Sequence, residues 1–172
     1  MSTLTAVHRA LDGIAALFEA VCIALLAAML AINAVNIVAR GGFDQSLNWV
    51  WPWTMVLFLY WVMLAFYPLY RRRKDVSIYA VTRFVGPRAE RILGVVVHVA
   101  VMAAAGLLIY TIPERLASSR GFIEIVGLPR QFLIWPLLAS TVPIFIDAAA
   151  SGLSVALGHA PYRPFGTVEI AE

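Results

Sequence analysis

Residues 20–39, 49–70 and 92–112 contain no Asp, Glu, Lys or Arg, and a fourth apolar stretch, 131–157, contains only Asp147. A helix rises about 1.5 Å per residue, so 20 residues reach roughly 30 Å, the thickness of one hydrocarbon core. Four such stretches leave little room for a soluble fold. Composition agrees: 62% of the chain is hydrophobic and 13% is charged. Soluble domains sit nearer half apolar and a quarter charged, and a small globule has too much outside to hide the excess. The expected class is an all-α integral membrane protein in a lipid bilayer, with four transmembrane helices and short interfacial helices. It reads as a single membrane domain, residues 1–172.

The expected spans are 14–39, 49–70, 92–112 and 131–157. The first is longer than a signal-peptide apolar core and carries Glu19 near its start, so it reads as a retained helix. Ahead of it, Leu4, Val7, Leu11, Ile14 and Phe18 recur at helical spacing. Residues 3–13 are either an amphipathic lead-in on the membrane surface or a longer first helix. In the 71–91 loop, Ile78, Val81, Thr82 and Val85 fall on one helical face, which predicts a short interfacial helix over 76–85. Gly86-Pro87 ends it, and Pro87 suits the first position of the next helix. The 113–130 connection begins at Pro113.

Basic residues set the orientation. Arg9, the 71–91 loop and Arg163 place nine of the 13 Lys and Arg on one side, and Arg40, Arg115, Arg120 and Arg130 place four on the other. Both termini and the 71–91 loop are therefore expected in the cytoplasm, with 113–130 in the periplasm. Arg71-Arg72-Arg73-Lys74 directly follows the second span and reads as a topology anchor that meets lipid headgroups. Topology explains these charges, and no nucleic-acid partner is needed.

Few side chains suggest chemistry. His98 lies in the third span, but a membrane haem usually takes two axial ligands, and His8 and His159 lie at or beyond helix ends. A contact to a neighbouring helix is the simpler reading. Glu19 and Asp147 are costly in an apolar segment. Asp147 falls near mid-membrane unless the fourth helix starts late, and it reads as a helix or subunit contact. Asn33 and Asn36 suit bonds across helices, and Ala24/Ala28, Ala100/Ala104 and Ala148/Gly152 permit close helix approach. Trp49, Trp51 and Trp53 form either an interfacial belt or a docking surface for another membrane protein. Cys22 reads as a small buried hydrophobe. No phosphate-binding glycine loop, metal-spaced cluster, Ser–His–Asp set or broken-helix pair is present. The chain reads as a partner-dependent membrane subunit rather than an enzyme, without cofactor or metal.

In order, Asn36-Ile37-Val38-Ala39-Arg40, the tryptophan-rich entry to the second span, Leu59-Tyr60-Trp61-Val62-Met63-Leu64-Ala65, Arg73-Lys74-Asp75-Val76-Ser77-Ile78 and Gly127-Leu128-Pro129 form a familiar series. Over residues 10–157 the chain resembles the small, DctQ-like membrane subunit of tripartite ATP-independent periplasmic (TRAP) transporters. It departs at Trp53-Thr54, where members often carry an acidic pair, and at Asp75, where they often carry histidine. The resemblance implies a bacterial inner-membrane complex with a large permease subunit and a periplasmic solute-binding protein. It implies sodium-driven uptake of an organic acid, with the small subunit widening the fixed scaffold. Trp49, Trp51, Trp53 and Asp147 are then candidate partner contacts, and the 113–130 loop a docking element for the binding protein. The alternatives are the small subunit of a tripartite tricarboxylate transporter, a haem or quinone anchor of an oxidoreductase, and a small stand-alone membrane enzyme.

Overall fold

A computed structural model describes residues 2–72, 87–123 and 126–157 of the chain. They form four long helices: α1 (Ser2–Phe43), α2 (Val50–Arg71), α3 (Pro87–Ser118) and α4 (Trp135–Ala156). A 3₁₀ turn, Arg130–Leu133, leads into α4. All four carry windows long and apolar enough to cross a membrane. The protein is an all-α, multi-pass membrane protein. The 76–85 interfacial helix expected from sequence lies outside the described residues.

Several ends differ from the sequence expectation, each for a local reason. Nothing between Ser2 and Phe43 breaks the helix, so the amphipathic lead-in and the first span are one continuous α1 of 42 residues. That is about 63 Å, twice one hydrocarbon core. α3 opens at Pro87, where a missing N–H costs nothing, and runs through Pro113 to Ser118 instead of stopping at 112. An interior proline removes one hydrogen bond and bends a membrane helix without having to end it. α4 begins late, at Trp135, with Pro136 in its first turn.

The helices run up and down. α1 packs on α2, α2 on α4, and α4 on α3, and α4 also touches α1. Successive α2–α4 bonds keep one register: Ser140 Oγ donates to the Met63 carbonyl at 2.5 Å, and Arg71 meets Asp147 seven residues later. The α3–α4 seam relies on small residues. A Cβ on Gly152 would lie 3.1 Å from the His98 Cβ, and one on Gly106 would lie 3.5 Å from the Phe145 ring. Of the three small-residue pairs noted in the sequence, Ala148/Gly152 is at a helix contact, whereas Ala24, Ala28, Ala100 and Ala104 are exposed. Lipid-facing helices leave large apolar side chains outside, among them Leu17, Ile23, Leu30, Val96 and Leu107.

On the side where α1 meets α2, Asn36 Oδ1 accepts from the Leu47 N–H at 3.0 Å and fixes the connection. Asn33 Nδ2 donates to Thr54 Oγ1 at 2.9 Å and to the Met29 carbonyl at 2.7 Å. Thr54 thus has a polar partner on α1. Between α3 and α4 the chain folds back on itself. The Ile123 N–H donates to the Leu128 carbonyl at 2.9 Å, and the Arg130 N–H donates to the Gly121 carbonyl at 3.1 Å. Gly127 closes this turn at φ +70°, a backbone conformation that glycine reaches at no steric cost.

Candidate functional site

The most unusual site is a buried group of charges joining α1, α2 and α4. Its centre is Arg71, the last residue of α2, which is only 4% exposed. Its Nε donates to Asp12 Oδ1 at 2.9 Å and its Nη1 to Asp147 Oδ1 at 2.5 Å. Nη2 donates to the His8 backbone carbonyl at 3.0 Å, and His8 Nδ1 lies 3.3 Å from Nη1. Ser151 Oγ donates to the same Asp147 oxygen at 3.2 Å. One planar guanidinium, with five N–H donors in a fixed fork, thereby holds two helices against a third.

Helical geometry explains the meeting. His8 and Asp12 are four residues apart on one face of α1, and Asp147 and Ser151 are four apart on α4. One turn along α2, Tyr67 is fully buried and donates to the Leu11 carbonyl at 2.9 Å. Its ring meets Phe18 edge to face, with centroids 5.9 Å apart, and Leu11, Ala15 and Ile144 pack around it. Arg72 pairs with Glu19 of α1. A low-dielectric interior strengthens such pairs and also makes any unpaired member costly.

Two residues read from the sequence lie in this group. Arg71 does not reach lipid headgroups, because its guanidinium is occupied inside the chain. Arg72 is also paired, and Arg73 and Lys74 lie outside the described residues. Asp147, read as a helix or subunit contact, is 3% exposed and makes a helix contact within its own chain. The late start of α4 brings it level with the last residue of α2, and α4 runs about 14 Å beyond it. Asp12 and His8 were not singled out as site residues.

The remaining candidates lie apart from this group. Trp49 is 44% and Trp51 is 69% exposed, and Trp53 is half-buried. They sit at the opposite end of α2, about 30 Å from Arg71 along the helix. His98 packs on Gly152 at the α3–α4 seam. Cys22 is buried, and its thiol lies 3.7 Å from the Trp61 carbonyl. Among the described residues, no three His, Cys, Asp or Glu side chains are placed to hold a metal ion. In chemical terms the Arg71 group is a clamp: one guanidinium donates to groups on both α1 and α4.

Residues 29–156 match the family model for tripartite ATP-independent periplasmic transporters, DctQ component. None of the curated proteins searched matches the chain. The family match spans α2, α3, α4 and about the last third of α1. Arg71 and Asp147 lie within it, and His8 and Asp12 lie before it.

Proposed function

Because the chain belongs to the DctQ family, the small permease component of TRAP transporters, we propose that it widens the fixed scaffold of a large permease subunit. That subunit takes up an organic acid on a sodium gradient, and a periplasmic solute-binding protein delivers the solute. The observation that carries this reading is the family match over residues 29–156, on a chain of four helices able to cross a membrane. Arg71 bonds to Asp12 and Asp147, and Asn33 to Thr54, all within the chain. Solute and sodium sites then belong to the larger partner.

In this reading the protein sits in a bacterial inner membrane with both termini and the 71–91 loop in the cytoplasm. The excess of Lys and Arg on that side supports this orientation, and pairing of Arg71 and Arg72 with carboxylates does not weaken it, since topology follows basic residues more than net charge. Trp49, Trp51 and Trp53 are the proposed contacts to the large subunit at the periplasmic end of α2, and the 113–130 loop faces the binding protein.

The test is co-purification of the tagged chain in mild detergent. A stoichiometric, many-helix membrane protein is expected to remain bound, and solute uptake is expected only from vesicles that hold both subunits and the binding protein. A chain that runs alone, a haem-bearing complex, or uptake by this chain without a large partner would overturn the assignment.

A further inference from the structure

The last two turns of α3 lie beside the start of α4 without closing on it. Gly106 and Phe145 are in contact deeper in the bundle. Beyond them a groove of about 440 Å³ opens, walled by Leu108, Ile112, Ile134 and Leu137, with Arg115 and Ser119 at one end. Thr111 also lines it, but its hydroxyl donates back to the Leu107 and Leu108 carbonyls, so its proton is used within α3.

The groove has the polarity of an amphiphile. From Leu108 to Arg115 is seven residues, about 10 Å along α3, and the lining changes from aliphatic to cationic over that distance. Arg115 stands in the last turn of α3, where a membrane helix reaches the headgroup level. Among the described residues no carboxylate pairs with it, in contrast to Arg71 and Arg72. Arginine presents a planar fork that matches phosphate oxygens.

We propose that this groove holds one phospholipid of the leaflet in which α3 ends, with an acyl chain along the aliphatic walls and its phosphate on Arg115. The inference rests on the four membrane-spanning helices and is independent of the transporter assignment. A lipid seated there fills the gap at the open end of the α3–α4 seam.

The test is native mass spectrometry of the full chain, together with any subunit that co-purifies, after delipidation and titration with phosphatidylglycerol. Wild type is expected to retain one phosphatidylglycerol about tenfold more tightly than Arg115→Gln. Arg40→Gln, which removes a cation from the end of α1 on the same membrane side, is expected to behave as wild type. Ile134→Trp, which fills the groove and keeps the arginine, is expected to lose the lipid. Equal retention by Arg115→Gln and Arg40→Gln, or full retention by Ile134→Trp, would overturn the proposal. Displacement of the lipid by inorganic phosphate at equal concentration would also overturn it, because the site would then bind a free anion.

Discussion

The Arg71 guanidinium meets the Asp147 carboxylate at 2.5 Å from 76 residues away in the chain, and neither side chain is more than 4% exposed. Such a pair is asymmetric in its energetics. Replacing both partners by apolar groups can be nearly neutral, but removing one leaves a buried charge and costs about 3–5 kcal/mol. Arg71→Met is therefore expected to destabilise the protein by that amount, and Arg71→Met with Asp147→Asn by less than Arg71→Met alone. Unfolding in mixed micelles, arranged as a double-mutant cycle, measures the coupling. Additive effects would show that the two residues do not act together.

Arg71→Lys separates charge from geometry. A lysine ammonium is a compact point charge and does not span two carboxylates and the His8 carbonyl as the guanidinium does. The variant is expected to unfold below wild type and above Arg71→Met in the same assay. Stability equal to wild type would reduce the clamp to simple charge neutralisation.

The α3–α4 seam is tested at Gly152. A Cβ there would already be 3.1 Å from the His98 Cβ, so Gly152→Leu is expected to push the helices apart at a cost of about 1–3 kcal/mol. Ala104→Leu, on the exposed face of α3, is expected to stay within about 0.5 kcal/mol of wild type. Disulfide trapping between cysteines introduced on the two helices gives an independent reading of the separation.

Polar contacts on the other half of the bundle are weaker. The Asn33–Thr54 bond joins two neutral groups, and interhelical bonds of this kind contribute about 0.6 kcal/mol, with a maximum near ~2 kcal/mol. Asn33→Leu is thus expected to cost far less than Arg71→Met. A loss as large as that of Arg71→Met, measured in the same micelles, would mean that this end of the bundle also has a critical polar group.

Gly127 adopts φ +70° in the connection before α4, and Gly127→Ala is expected to cost about 1 kcal/mol. The effect is local, so hydrogen exchange in the connection is expected to rise while α1 and α2 remain protected.

How much of this was legible in the sequence follows from the range of each signal. Charge-free runs mark spanning helices because the hydrocarbon core selects for length and polarity within one segment. Helix ends were less legible: Pro113 reads as a stop, yet the helix continues through it to Ser118, and the fourth span, expected from 131, becomes α-helical only at Trp135. The clamp was misread because Arg71 opens a basic run that, taken locally, is a topology anchor. Its partners lie 59 and 76 residues away, and no periodicity within a window reaches that far. The available clue was an inventory: Asp12, Glu19 and Asp147 all stand in or beside apolar segments and need cations, and the cations nearest the membrane at that end are Arg71 and Arg72. Asn33 was readable as a cross-helix donor, but its acceptor was fixed only once α1 and α2 were set in register.

The clamp also orders the birth of the protein. When α1 and α2 have left the ribosome, Arg71 has Asp12 within reach, but the position of Asp147 is still empty. The third helix contributes nothing to that site. Only the last helix supplies the second carboxylate, so until α4 is made the guanidinium can bond to α1 alone. A chain that lacks α4 therefore keeps the Asp12 and His8 contacts of Arg71 but has no Asp147 acceptor for Nη1.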